Sequence, residues 1–263
     1  MERLAIYGVL FVAAGLAVLF ASPNSAAFTL LSGAAIALAM PLIDSLVANW
    51  KVLRVVWYTI RMWRRRVRIS ASYLYRIKLR DEYMLVKGNR FKHYQPVGGV
   101  YKYSPAAIAF LRSIDAVDDD LIPVDDRSVS DLRIRIPGRH LLKFVTWYNR
   151  GTSRETSPWR EFREELLATG ILPSDAFPFV FHDFIGRTVR PLRFSEYAQS
   201  WELLIADIYE LLPTERQVRE LETLKRRGHG DVIWADADRI RRRGAVPGQD
   251  LDTVIAEPAD WTL

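Results

Sequence analysis

Three glutamates within one short segment are the residues of this chain whose type and spacing could do metal chemistry. They are Glu161, Glu164 and Glu165, in the stretch SPWREFREELLATG at residues 157–170. At about 100° per residue, the spacing i, i+3, i+4 places the three carboxylates within an arc of about 100° on a helix. Clustered carboxylate oxygens are the ligands that Mg²⁺ prefers. The alternative interpretation is a solvated acidic face on an ordinary amphipathic helix.

The residues that flank the glutamates mark the ends of the predicted helix. Ser157 is a good N-cap, Pro158 suits the first helical position, and Gly170 is a common type of C-terminal stop. The segment is therefore predicted to be a short helix with one acidic side and one apolar side.

Several other chemistries have no residues in this chain to support them. The 263-residue chain has no cysteine, which excludes disulfides, zinc–thiolate sites and a cysteine nucleophile. The four histidines are scattered along the sequence without the spacing of metal ligands. The sequence also lacks a G-x-S-x-G elbow, a P-loop and a G-x-G-x-x-G motif.

Two apolar runs at the N-terminus predict a transmembrane hairpin within residues 1–50. The runs are Leu4–Ala21 and Ala26–Val47, separated by the short break Ser22–Ser25. Each is close to the roughly 20 residues that a spanning helix requires. A cleaved signal peptide is the competing interpretation of the first run, but a hairpin accounts for both runs together. Asp44 near the end of the second run is expected either at the membrane boundary or, if functional, in a contact between protomers or at a pore-lining position.

The segment 51–70 is predicted to be an interfacial helix on the cytoplasmic side of a bacterial inner membrane. Its aromatic residues suit headgroup depth, and its arginines suit anionic phosphates. Nucleic acid would use similar residues, but directly after a membrane hairpin we expect the lipid bilayer as partner and no nucleic acid duplex. By the positive-inside rule both termini are expected to be cytoplasmic, because the turn between the runs carries no charge and a group of basic residues follows the second run. They are Lys51, Arg54, Arg61, Arg64, Arg65, Arg66 and Arg68.

Residues 71–245 are predicted to form an α+β domain with a mixed sheet, followed by a tail at 246–263. Strand patterns occur on both sides of a Pro137–Gly138 turn, and Gly98–Gly99 predicts a tight turn or a close backbone approach. The segment ERQVRELETLKRR predicts a helix. Strands and helices that do not alternate regularly favour the α+β class.

This domain resembles the Nudix family. The family's box is Gly, five residues, Glu, seven residues, then Arg-Glu-(apolar)-x-Glu-Glu-x-Gly, and REFREE at 160–165 matches its core. The segment PVGG at 96–99 is similar to the Pro-Gly-Gly that precedes the box, and VIWADADRI resembles a late segment of the fold. The resemblance covers roughly residues 73–243 and implies an α/β/α sandwich with a mixed sheet.

The resemblance also implies roles for individual residues. Glu161, Glu164 and Glu165 would bind Mg²⁺, with Glu164 and Glu165 catalytic if the domain is active. Arg160 would orient a carboxylate, while Gly98 and Gly99 would be structural. The chain departs from the box in three ways, one of which is that the closing glycine, Gly170, comes late. An insertion of about residues 104–150 separates Gly99 from Arg160, and Thr152 occupies the position of the box glutamate.

With the hairpin, the chain resembles the two-transmembrane Nudix effectors of CBASS anti-phage systems. That resemblance implies binding of a cyclic nucleotide made by a cognate CD-NTase, homo-oligomerisation of the hairpins and disruption of the inner membrane. Two alternatives stay open: a membrane-tethered Mg²⁺-dependent hydrolase of a nucleoside diphosphate derivative, and a scaffold with a vestigial glutamate helix. Because phosphates and bases favour arginine and aromatic partners, we expect ligand contacts from the insertion. The candidates are Arg133, Arg135, Arg139, Trp147 and Tyr148.

Overall fold

A computed structural model describes residues 2–88, 92–119, 129–248 and 253–263 of the chain. Parts of the predicted insertion and tail, residues 120–128 and 249–252, therefore lie outside the described residues. The chain divides into two compact units. The first unit is residues 1–65 with 138–145, and the second unit is residues 66–137 with 146–263.

The first unit is built on two apolar helices, α1 (Glu2–Phe20) and α2 (Ala26–Ala48), which pack against each other. The Oγ of Ser25 caps α2 by accepting a hydrogen bond from the Phe28 N–H at 3.1 Å. Both helices are long and apolar enough to cross a membrane, as judged by length and composition. None of their described residues is buried in the protein.

A third helix, α3 (Trp50–Arg61), follows α2 directly and is shorter than predicted. The interfacial helix was expected to continue to residue 70, but the chain enters strand β1 at Arg66. The reason is visible in the pattern, because from Val67 apolar residues recur at every second position, which is the period of a strand.

The prediction of a strand after Pro137–Gly138 is wrong, because the chain there forms a short 3₁₀ turn (Gly138–His140) and then helix α5 (Leu141–Arg150). Leu141, Phe144 and Tyr148 are fully buried, and their spacing of i, i+3 and i+7 is that of a helix. Gly138 lies against the end of α3, where a Cβ would come within 2.2 Å of the Met62 carbonyl oxygen.

The second unit contains a seven-stranded mixed sheet and a four-stranded antiparallel sheet, which confirms the predicted α+β class. In the larger sheet the order is β6-β7-β1-β10-β8, with β5 beside β1 and β9 beside β10; β1 and β10 are parallel and the other pairs antiparallel. Its strands are β1 (Arg66–Arg76), β5 (Gly98–Val100), β6 (Val117–Asp118), β7 (Arg133–Pro137), β8 (Phe181–Val189), β9 (Arg193–Ser195) and β10 (Ser200–Leu212). The smaller sheet holds β2 (Lys78–Leu79), β3 (Glu82–Lys87), β4 (Tyr94–Gln95) and β11 (Val232–Asp236).

The described residues of the second unit also include helices α4 (Ile108–Ser113), α6 (Trp159–Phe162), α7 (Glu215–Arg227) and α8 (Ala237–Arg241), and 3₁₀ turns at Pro105–Ala107 and Glu257–Thr262. The helix predicted from ERQVRELETLKRR is α7, and it begins with a capping box between Thr214 and Gln217.

The alternation of β1 and β10 gives the larger sheet two distinct faces. On one face, Tyr73 lies beside Asp207 and Tyr75 lies beside Tyr209. This face positions the candidate site. The opposite face carries Leu74, Ala206 and Ile208, against which Trp261 packs. The last residues of the chain thus belong to the packed domain, and Ile255 and Ala259 are likewise buried, against Leu85, Ala235 and Ile240.

Candidate functional site

The helix that carries the three glutamates is only partly an α-helix. One α-helical turn, α6, is followed by a π-helical turn at Arg163–Leu167, in which the Ala168 N–H donates to the Arg163 carbonyl at 2.8 Å. A π turn holds more residues than an α turn, so the predicted arc of i, i+3, i+4 does not continue through it. Glu161 stands on the α turn, whereas Glu164 and Glu165 stand on the π turn.

Arg160 is the centre of the candidate site. Its Nη1 lies 2.6 Å from Glu161 Oε1 and 3.7 Å from Glu164 Oε2. Its Nε and Nη2 donate to the two carboxylate oxygens of Glu155 at 3.2 and 3.3 Å, and Nη2 also donates to the Val100 carbonyl at 2.9 Å. A guanidinium that engages both oxygens of one carboxylate fixes its orientation as well as its charge.

Glu155 is the site residue that sequence reasoning missed. The box position points to Thr152, but the structure supplies the carboxylate three residues later. The signal that could have found it is composition, because Glu155 is the only glutamate between Gly99 and Arg160. Its Oε2 also accepts a hydrogen bond from the Lys102 N–H at 3.3 Å.

The two glycines of PVGG place β5 against the helix. A Cβ on Gly98 would lie 2.2 Å from the Tyr73 carbonyl oxygen of the neighbouring strand. A Cβ on Gly99 would lie 2.0 Å from Glu161 Oε1, so the bare backbone leaves room for that carboxylate. Both positions therefore show the close approach for which glycine is suited.

Glu165 is the most perturbed acid of the site. Its Oε2 accepts a hydrogen bond from the Gly98 N–H at 3.1 Å. Burial, and then the charges of Glu161 and Glu164, raise the pKa of Glu165 to about 8, although the Gly98 N–H opposes the shift. Burial also raises the pKa of Glu161, against the lowering effect of Arg160. We define the glutamate site as the base Arg160 and four acids: Glu155, Glu161, Glu164 and Glu165.

The donor chemistry of the glutamate site suits Mg²⁺, but its geometry does not form a metal site. Among the residues that the structure describes, no three His, Cys, Asp or Glu side chains are placed to hold one ion. Glu161 is engaged by Arg160, and Glu165 is engaged by the Gly98 N–H. We therefore derive no reaction step through a metal ion.

A second group of paired side chains lies on the same face of the sheet. We call it the aspartate cluster, and it consists of Asp207, Arg187, Tyr101, Tyr148 and Arg154. Arg187 donates to both carboxylate oxygens of Asp207, at 2.5 and 2.9 Å. The hydroxyls of Tyr101 and Tyr148 donate to Oδ2 at 2.8 and 3.3 Å. The guanidinium of Arg154 lies over the Tyr101 and Tyr148 rings at 4.6 and 4.1 Å. Asp207 is therefore a fully paired, buried carboxylate.

The five predicted ligand residues have different surroundings. Tyr148 is buried inside the aspartate cluster, and Trp147 stacks on Phe110 with ring centroids 4.8 Å apart. Arg133 and Arg135 lie two residues apart on β7, where Arg133 is 3.7 Å from Asp131. Arg139 is exposed and belongs to the first unit, whereas the other four belong to the second.

Arg135 instead begins a row of alternating charges across the opposite face of the larger sheet. The Arg135 Nε donates to Asp119 at 3.1 Å, and Arg68 bridges Asp119 and Glu202 at 2.6 and 3.1 Å. Further links join Glu202 to Arg193 and then to the C-terminal Glu257 and Arg190. The strand register explains the row, because residue 68 lies beside both 135 and 202, and residue 202 beside 193.

Comparison with known proteins agrees with this architecture. A family model described as the SMODS-associated NUDIX domain matches residues 66–263. The matched region begins at the first residue of β1 and runs to the end of the chain. No curated protein and no solved structure matches the chain.

Proposed function

The chain belongs to the family of SMODS-associated NUDIX domains, and from that premise we propose that it is a membrane effector that responds to a cyclic nucleotide. The family match with the two apolar helices fits a CBASS-associated Nudix effector with a transmembrane hairpin. In this proposal the NUDIX domain binds a cyclic nucleotide made by a cognate CD-NTase. Binding drives the hairpins to oligomerise and disrupt the inner membrane, which kills the infected cell.

The observation that carries the proposal is the exposure of α1 and α2. A core helix of a soluble protein buries its apolar face, but these helices bury none of their described residues. Removing apolar surface from water is the largest favourable term available to such a segment. In this proposal a bilayer covers the exposed surfaces of both helices, and the basic residues after α2 favour a cytoplasmic location for the rest of the chain.

The geometry of the glutamate site gives no support to turnover. Arg160 is bonded directly to Glu155 and Glu161 and lies 3.7 Å from Glu164, whereas Glu165 accepts from the Gly98 N–H. An active metal site would need these oxygens to converge on one ion, which the described residues do not do. A site that binds a nucleotide without cleaving it preserves the messenger and can report its presence. Ligand binding shifts assembly only by its difference in affinity between the two assembly states.

Hydrolysis of a nucleoside diphosphate derivative is the second candidate function. The presence of Glu161, Glu164 and Glu165, with Arg160 oriented by Glu155, favours it. Mg²⁺ would have to displace Arg160 from Glu161 and take Glu165 as a ligand, lowering the pKa of that acid.

Calorimetry on the full chain in lipid nanodiscs separates the two candidates. The chain would be titrated with cyclic di- and trinucleotides and with linear nucleoside diphosphate compounds, with and without Mg²⁺. The samples would then be analysed for cleavage. We expect tight binding of one cyclic nucleotide, recovered intact. Cleavage that requires Mg²⁺ and is lost in Glu165→Gln would instead establish the hydrolase.

A further inference from the structure

The net positive charge of the protein is confined to the first unit. The chain has 37 basic and 31 acidic residues, and the first unit holds eight and two of them. The second unit is therefore left with 29 of each and carries no net charge. The net charge of +6 therefore lies entirely on the smaller unit, and its cause must be sought among the residues of that unit.

Within the first unit the charge is concentrated in two segments that are distant in sequence. Residues 50–65 and 138–145 together contain seven basic residues and no acidic residue. The second segment was predicted to contact a nucleotide through Arg139, yet it belongs to the same compact unit as the hairpin. Arg139 and Lys143 are both exposed.

Backbone contacts hold these two segments together. The Gly138 N–H donates to the Arg65 carbonyl at 2.8 Å. Gly138 also lies so close to Met62 that a Cβ would fall 2.5 Å from the Met62 Cβ. The 3₁₀ turn that contains Arg139 is thus fixed to the residues that follow α3. The start of the segment 138–145 therefore lies beside residues 62–65.

The segment 50–65 also exposes large aromatic rings beside its basic residues. Trp50, Trp57 and Trp63 are 64%, 58% and 54% exposed. Trp50 and Trp57 are seven residues apart, which places them on one side of α3 two turns apart. Exposed tryptophan next to lysine and arginine is the composition of a segment that lies at headgroup depth.

We propose that residues 50–65 and 138–145 form one headgroup surface that binds the phosphates of anionic phospholipids. The inference rests on the proposed function, because it takes α1 and α2 to span the bilayer. Two features favour lipid over a nucleotide or a nucleic acid. α3 begins two residues after α2 ends, so the surface is continuous with the apolar helices. Four to eight basic residues directly beside a spanning helix are characteristic of anionic lipid binding.

In this proposal Arg139 binds the phosphate of an anionic lipid and not a nucleotide, so its loss should weaken the preference for anionic lipid. Near an anionic surface each basic residue strengthens binding roughly five-fold, the equivalent of about 1 kcal/mol, and salt weakens the effect. Loss of Arg139 and Lys143 should therefore reduce the preference for anionic lipid by about ten- to thirty-fold in total.

The absence of cysteine makes a direct test possible, because one introduced cysteine can be labelled cleanly. A fluorophore would be attached to Lys143→Cys in the full chain, reconstituted in nanodiscs of phosphatidylcholine alone or mixed with phosphatidylglycerol. A nitroxide on the lipid headgroup quenches a fluorophore that lies close to the surface. The matched control carries the label at Glu222→Cys, an exposed position on α7 in the second unit.

We expect strong quenching at position 143 in the anionic nanodiscs, weaker quenching in neutral ones, and no dependence on lipid charge at position 222. Arg64→Gln with Arg139→Gln should weaken the dependence on lipid charge, because, with Lys143 also replaced, four of the seven basic residues of the surface then remain. The control pair Arg226→Gln with Arg241→Gln, two exposed residues of the second unit, should leave it unchanged.

Three results would overturn the proposal. Equal quenching at position 143 in both lipids, in chains that resist alkaline carbonate extraction, would refute the headgroup surface and leave the hairpin intact. Extraction of the chain by carbonate would refute membrane insertion, and with it the proposed function. A label at 143 that responds to cyclic nucleotide in detergent, but not to anionic lipid, would return Arg139 to a nucleotide site.

Discussion

The glutamate site and the aspartate cluster both pack on one face of the larger sheet, but their charges are balanced differently. Asp207 is a single acid with Arg187 bonded to both oxygens and two tyrosine hydroxyls donating to it. The glutamate site has four acids and one base, Arg160, which engages Glu155, Glu161 and Glu164; the fourth acid, Glu165, has a pKa raised to about 8. In the first arrangement the charge of the acid is fully paired, as expected for a residue with a structural role. The second has an excess of negative charge, which is the condition for binding a cation or changing protonation.

The largest effect should come from breaking the aspartate cluster. Asp207→Ala leaves Arg187 and the two tyrosine hydroxyls without their buried acceptor. We expect a loss of about 3–5 kcal/mol in unfolding free energy, because removing one partner strands the other charge. Urea unfolding of the full chain in detergent, followed by tryptophan fluorescence, measures it. Asp175→Ala, at the exposed pair with Arg216, should cost less than about 1 kcal/mol. Equal losses in the two variants would show that the cluster is not structural.

Loss of Arg160 should be the next largest effect. Arg160→Leu strands the acids Glu155 and Glu161, and we expect a loss of about 2–3 kcal/mol in unfolding free energy near pH 8. The loss should shrink toward pH 5, because burial raises the pKa of Glu161 and this acid, once unpaired, accepts a proton as the pH falls. Urea midpoints across this pH range test both points. A loss independent of pH would mean that Arg160 acts by packing and not by charge.

Glu165→Gln should stabilise the protein at alkaline pH. The pKa of Glu165 is raised from 4.5 to about 8 on folding, so its contribution to stability is present below pH 4.5 and is lost as the pH rises through about 8. Glutamine does not titrate and keeps an oxygen for the Gly98 N–H. Relative to the wild type, the variant should gain about 2 kcal/mol between pH 5 and pH 9, less than the full shift because the side chain is partly exposed.

The matched comparison for Glu165→Gln is Glu164→Gln, measured over the same range of pH. A difference between wild type and Glu165→Gln that does not change with pH would contradict the raised pKa. If added Mg²⁺ abolished the pH dependence in the wild type alone, the glutamate site would be shown to bind the ion.

The smallest effect should come from one hydroxyl of the aspartate cluster. Tyr148→Phe removes a hydrogen bond to Asp207 of 3.3 Å, while Arg187 and Tyr101 remain. We expect a loss of about 1 kcal/mol in unfolding free energy and no change in cyclic nucleotide affinity. Thermal unfolding and calorimetry on the same sample report the two quantities. A large loss of affinity with unchanged stability would restore Tyr148 as a ligand residue.

Features with a local signal could be predicted from the sequence. The apolar runs of α1 and α2 are continuous, and the period of α7 is that of a helix over its whole length. The acids of the glutamate site stand in a contiguous motif, REFREE. In each case the residues that determine the feature are neighbours in the chain, so spacing alone carries the information.

Features set by packing between distant segments could not be predicted in this way. The aspartate cluster joins residues from 101 to 207, and no spacing in the sequence relates them. Glu155 lies three residues after the position that the box predicts, and only its contact with Arg160 identifies it. The Pro137–Gly138 pair indicated a hairpin turn, but the close approach of Gly138 to Met62 is what requires glycine there.

The measurement that most directly tests the account is dye efflux from liposomes that contain the full chain. Cyclic di- and trinucleotides would be added one at a time, with Ile36→Lys in the exposed middle of α2 and the conservative Ile36→Leu as the matched pair. The account predicts efflux with one cyclic nucleotide in the wild type and in Ile36→Leu, and none in Ile36→Lys. Tight binding of that nucleotide without efflux from any liposome would contradict the central claim that the hairpin disrupts the membrane.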